Sequence, residues 1–122
     1  MLIKDFYTVV SCEKTQNSIV CRVKLNADHE VYKGHFPQRP ITPGVCNIQI
    51  IKEIAQMLTG NKYSFKKIDK CRLPAMVTPD GTPDLDVKVD FIDPENPLKI
   101  SASIFFDQTI FMALSGELEI IQ

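Results

Sequence analysis

"VCNIQIIKEIAQMLTG" (45–60) decides the fold. Apolar side chains fall at 45, 48, 51, 55 and 58, and again at 46, 50, 54 and 57. At helical spacing these rows cover most of the circumference. Gln49, Lys52, Glu53 and Gln56 collect into one narrow polar stripe, and Gly60 is a suitable stop. The spacing predicts a largely buried helix with a single wet or functional edge.

Everything outward from this helix reads as strand or turn. "FYTVVSCEK" (6–14) and "SIVCRVKLN" (18–26) are rich in valine, isoleucine and aromatics, and the "TQN" between them is turn-like, so a β-hairpin is expected. "KYSFKKIDKCRL" (62–73) mixes β-formers with lysines, and "LDVKVDFI" (85–92) alternates strictly, as a half-buried strand does. "LKISASIFFDQ" (98–108) and "TIFMALSGELEII" (109–121) predict two antiparallel strands closed by a tight turn near Asp107 and Gln108. "PAMVTPDGTP" (74–83) and "DPENP" (93–97) are connections. One buried helix with five or six long strands predicts an α+β domain over 1–122, a curved antiparallel sheet wrapped around the helix. A β-sandwich has no place for a helix that is apolar on nearly every side. A single sheet leaves edge strands open, so a homodimer pairing two sheets edge to edge is expected.

The composition, 44% hydrophobic and 24% charged over 122 residues, is that of one globular domain. A net charge of −1 gives no basic excess for non-specific nucleic-acid binding. No stretch approaches a membrane span, and "MLIKDFYTVV" mixes acid and base without the apolar run of a secretion signal, so a cytoplasmic protein is expected. Cysteines at 12, 21, 46 and 71 make no C-x-x-C pair, and only two histidines accompany them, so no metal is expected. Four free thiols are the expectation, with Cys46, near the helix start, read as a packing residue.

Before the helix, "GHFPQRPITPGV" (34–45) packs three prolines, two glycines, one histidine and one arginine into twelve residues. Pro37, Pro40 and Pro43 stiffen the backbone, which holds His35 in place at little entropic cost on binding. Gly44 opens the helix, whose first N–H groups lack internal partners and carry partial positive charge. An imidazole and an oxygen-seeking backbone pocket suit proton abstraction next to a carbonyl.

This segment resembles the GHFP-x-x-P-x-x-PG-V/C signature of the 3-hydroxyacyl-ACP dehydratases of the FabZ/FabA type. "KCRLPAMVTPDGTPDLDVKVDF" is similar, more weakly, to that family's F-K-x-P-V-x-P-G-D stretch. The resemblance implies a hot dog fold dimerised through its sheets, and no cofactor. It implies His35 as the base, the Gly44 N–H on a thioester carbonyl, and Phe36, Pro43 and Val45 beside the substrate. The acyl chain, on a phosphopantetheine arm, would lie at the dimer interface. Acidic acyl carrier protein would dock on Arg39, Lys66, Lys67, Lys70 and Arg72.

The family places its acidic catalytic residue five positions after the glycine. This chain has Gln49 there, with Glu53 one turn further on. Glutamine donates and accepts hydrogen bonds but delivers no proton near neutral pH. Both Gln49 and Glu53 are therefore candidate catalytic residues. The expected function is dehydration of a 3-hydroxyacyl thioester on acyl carrier protein to the trans-2-enoyl thioester. Alternatives are a thioesterase in the same pocket, or a non-catalytic acyl-ACP binder or inactive partner subunit of a hetero-oligomer. A heterodimer with a homologue, or a trimer of dimers, is compatible with the family.

Overall fold

The alternation read in 85–92 becomes the middle of a six-stranded antiparallel sheet in the computed structural model, which describes residues 5–29, 42, 44–78, 83–93, 95 and 97–121. The elements are β1 (Tyr7–Lys14), β2 (Ser18–Leu25), α1 (Gly44–Thr59), β3 (Tyr63–Arg72), β4 (Asp84–Asp93), β5 (Leu98–Phe106) and β6 (Thr109–Ile120). The spatial order is β1-β2-β4-β5-β6-β3, with β1 and β3 at the two edges.

On β4, Leu85, Val87, Val89 and Phe91 turn inward, as do Ile19, Cys21, Val23 and Leu25 on the neighbouring β2. β5 and β6 continue the inner face with Leu98, Ile100, Ile104, Met112, Leu114 and Leu118. Against this face lie Cys46, Ile50, Ile51, Ile54 and Ala55 of the helix, which packs on β4, β2, β3 and β5. Removing that apolar surface from water is the main force that seats α1 on the sheet. This is the hot dog arrangement.

The outer face carries the polar members of the alternation. Arg22 on β2 holds Asp86 on β4 through Nε at 2.5 Å and Nη2 at 3.1 Å, and its guanidinium lies over the Phe106 ring. The β5–β6 turn falls at Asp107 and Gln108 as expected, with Asp107 at φ 52°. Gly60 at φ 81° ends the helix, donating its N–H to the Gln56 carbonyl. Gly116 is required by a close approach, since a Cβ there would sit 2.5 Å from the Lys67 carbonyl oxygen of the edge strand.

Two expectations change. Cys12 and Cys21 are not free thiols. They face one another across the hairpin, with Cα atoms 4.2 Å apart, and are joined in a disulfide. Cys46 and Cys71 are free. The helix is also less enclosed than its composition suggests. One sheet covers one side, so Val45, at 58% exposure, and Met57, at 39%, remain uncovered.

Candidate active site

The polar stripe of α1 faces β1. Glu53 is the centre of this contact. Its Oε1 accepts a hydrogen bond from the Tyr7 hydroxyl at 2.6 Å, and its Oε2 accepts one from Gln49 Nε2 at 2.8 Å. Gln49 and Glu53 are four residues apart, so helical geometry alone brings their side chains together. Tyr7 comes from the far edge of the sheet, forty-six positions away in sequence. Burial, then the hydrogen bond to Glu53, then its charge, push the Tyr7 phenol well above the usual tyrosine range. The rest of the stripe braces the helix end: Gln56 Oε1 accepts from the Tyr63 N–H, and Lys14 Nζ reaches the Met57 carbonyl at 3.1 Å. That lysine meets the negative end of a helix whose last turn holds no basic residue of its own.

The helix begins at Gly44, with no acidic residue in its first turn. A Cβ on Gly44 would lie 3.3 Å from Leu73 Cδ1. Leu73 is 53% exposed, so Val45 and Leu73 form an apolar rim around the helix start. Behind this rim the interior closes. The Thr42 N–H bonds the Val77 carbonyl at 2.8 Å, fastening the chain that enters the helix to the segment after β3. Cys46 is buried, and burial pushes its thiol upward, which fits packing rather than nucleophilic chemistry. Asn47, at 2% exposure, keeps a buried Oδ1 that finds no hydrogen-bond partner among the described residues.

The sequence singled out twelve residues. Gln49 and Glu53 are in direct contact, and Gly44 and Val45 stand at the head of the same helix. His35, Phe36, Pro43 and Arg39 lie outside the described residues. Lys66, Lys67, Lys70 and Arg72 are all exposed on β3 but are not equivalent. Lys67 is taken up by Glu117 at 3.1 Å and Asp69 at 3.3 Å, and these partners raise its pKa. Lys66 occupies the bulge between Phe65 and Lys67. Lys70 and Arg72 stand together beside a shallow depression of about 300 Å³, with Ser101, Ala102, Ala113, Leu114 and Ser115. Tyr7 was missed. Nothing in the local sequence separates it from the other aromatics of the hairpin, because its partner lies on another element. His29 packs edge-on against Phe6, with ring centroids 5.3 Å apart.

Comparison with known proteins agrees with this architecture. The chain is 32% identical over 75 residues to the 3-hydroxyacyl-[acyl-carrier-protein] dehydratase FabZ of Caldanaerobacter subterraneus subsp. tengcongensis, covering 56% of this chain and 53% of that protein. The aligned region thus spans about half the length of that relative. The FabZ of Clostridium perfringens strain SM101 is 27% identical over 118 residues, covering 87% of this chain and 79% of that protein. Among solved structures, the dehydratase heterocomplex ApeI:P from Xenorhabdus doucetiae matches with a TM-score of 0.79 at 21% identity. That match covers 92% of this chain and 96% of the other, and supports the fold. The family model of the ApeI dehydratase matches residues 11–109, most of the sheet and the whole helix, and the chain belongs to the ApeI-like dehydratase family.

Proposed function

We propose that this protein dehydrates a 3-hydroxyacyl thioester carried by acyl carrier protein, with Gln49 as the side chain that receives the departing hydroxyl. The observation that carries this reading is the position of Gln49. It lies on the first turns of the helix that starts at Gly44, and its amide is fixed by Glu53. The sequence adds His35 in the proline-braced segment before the helix.

In the reaction, His35 takes a proton from the carbon next to the thioester carbonyl. The electron pair left behind becomes the new carbon–carbon double bond, and the bond from C3 to its hydroxyl oxygen breaks. The helix-start N–H at Gly44 steadies the negative charge on the carbonyl oxygen. Both Glu53 oxygens already accept hydrogen bonds, so neither has a hydrogen to offer the departing oxygen in this arrangement. Gln49 holds that oxygen but cannot protonate it. The proton gained by His35 therefore passes to it, one water leaves, and the imidazole is restored. The apolar rim at Val45 and Leu73 suits an acyl chain or a second protomer laid across the helix start.

A second reading is favoured by the same residue. With glutamine in place of the family's acid, this chain could serve as one subunit of a hetero-oligomeric dehydratase whose other subunit keeps the acid. The solved relative is itself a dehydratase heterocomplex. One experiment separates these readings. Purified protein is mixed with 3-hydroxyacyl-ACP, and the acyl product is weighed by mass spectrometry. Loss of one water supports dehydration, and His35→Ala abolishes it. Release of the free acid identifies a thioesterase instead. Unchanged substrate bound to the protein, turned over only when an acid-bearing homologue is added, supports the subunit reading.

A further inference from the structure

The Tyr7–Glu53–Gln49 chain of hydrogen bonds joins the edge strand β1 to the helix, and it ends on the side chain assigned to the departing hydroxyl. We propose that Tyr7 is a positioning residue of this reaction: its hydroxyl fixes Glu53, and Glu53 in turn fixes the Gln49 amide so that Gln49 meets the substrate in one orientation. The proposal rests on the dehydratase reading of the site and deepens it.

Three observations carry it. First, Glu53 has donors on both oxygens, and no Lys, Arg or His forms an ion pair with it among the described residues. A carboxylate held only by neutral donors is held in direction as well as in place, since each donor must point at its own oxygen. Second, a free glutamine amide can present either its oxygen or its nitrogen to a ligand by turning over. Here Nε2 is committed to Glu53 at 2.8 Å, which leaves Oε1 and the second N–H to face the reaction. A departing hydroxyl then always meets the same two groups. Third, Tyr7 is itself rigidly seated. Just before it, Asp5 sits at φ 59°, with its carbonyl accepting from Asn26 Nδ2 at 2.9 Å. The Asn26 N–H bonds the Phe6 carbonyl at 2.8 Å, and the Phe6 side chain is fully buried. A brace transmits position only if its own base does not move. A phenylalanine would fill the same space as Tyr7, so the hydroxyl and not the ring is what this role requires.

The test uses the full chain with 3-hydroxyacyl-ACP and four forms: wild type, Tyr7→Phe, Glu53→Gln and the double variant. Loosening a positioned group far from the reacting atoms reduces turnover without weakening substrate binding. Tyr7→Phe is expected to lower kcat about tenfold, with KM moved less than about twofold. The double variant is expected to be no slower than the slower single variant, because both changes break one chain. An unchanged kcat in Tyr7→Phe, or effects that multiply in the double variant, overturns the proposal. A second readout does not depend on turnover. The Gln49 side-chain amide resonances, assigned with Gln49→Ala, are recorded by 15N NMR in wild type and Tyr7→Phe. The proposal requires them to move, and unmoved resonances overturn it. If wild type fails to dehydrate, the dehydratase reading falls, and the NMR result still decides whether Tyr7 orients Gln49.

Discussion

The two edges of the sheet are built differently. β1 is fastened at three points: to the helix through Tyr7–Glu53 and Lys14–Met57, and to β2 through the Cys12–Cys21 disulfide. Among the described residues, the polar contacts of β3 with the helix are at its first residue, Tyr63, and its pairing with β6 is broken by two bulges. From Lys66 to Arg72 every residue of β3 is exposed. Both are edge strands, but β1 is a wall of the candidate site and β3 is not. An open edge strand invites pairing with another chain. Glu53 of the polar stripe thus points toward β1, Gln56 meets only the start of β3, and the rest of β3 carries exposed lysines.

This contrast can be broken from the β3 side first. Gly116→Val places a side chain against the Lys67 backbone of β3, where a Cβ would already be 2.5 Å from the carbonyl oxygen. Overpacking of this kind is expected to remove about 3 kcal/mol of stability. Urea unfolding measures it, and a midpoint equal to wild type would mean that β3 yields without loss. The β1 edge is tested by reduction. The disulfide closes a short loop, with a sequence separation of 9, and its loss is expected to lower stability by about 2.5 kcal/mol. Parallel unfolding with and without dithiothreitol reads this difference, and coincident curves would show that the hairpin does not depend on the bond.

A smaller effect sharpens the assignment of roles. If β3 pairs with a second copy, Ile68→Asp places a charge in that junction and weakens the dimer at least about tenfold, or about 1.4 kcal/mol. The matching change on the other edge, Val10→Asp, leaves the assembly unchanged. Sedimentation over a range of concentrations distinguishes them, and the reverse pattern would exchange the roles of the two edges. The smallest effect is on the pH dependence of stability. An unfolded tyrosine titrates near pH 10, and Tyr7 in the fold titrates higher. The unfolded state therefore loses this proton first, so the Tyr7 contribution is complete below about pH 10 and declines as pH rises beyond it. Tyr7→Phe removes that part of the decline. Alkaline unfolding profiles of equal slope in the two proteins would contradict the half-buried, Glu53-bonded phenol.

The helix was read as 45–60 and spans Gly44–Thr59. The strand read as 85–92 spans Asp84–Asp93. Both are legible because their periods, 3.6 and 2, are carried by side chains that had to face one core. The bulges in β3 are not legible, since Lys66 and Asp69 look like ordinary strand residues until β6 sets the register. The disulfide left a trace that was overridden. A three-residue turn at "TQN" sets Cys12 opposite Val20, one place short of Cys21, and only the observed register, Lys14 opposite Ile19, brings the two cysteines face to face; the expectation of a cytoplasmic chain also favoured free thiols. Within the candidate site, Gln49 and Glu53 could be paired from their spacing alone. Tyr7 could not, because its contact depends on how a strand from one end of the sheet passes the helix.

The central claim is that Gln49, oriented by Glu53, meets the departing hydroxyl. Single-turnover dehydration of 3-hydroxyacyl-ACP by wild type, Gln49→Ala and Gln49→Glu tests it directly. The account predicts that Gln49→Ala is slower by on the order of a hundredfold, and that Gln49→Glu, which restores an acid at this place, is at least as fast as wild type. A Gln49→Ala protein that dehydrates as fast as wild type would contradict the claim.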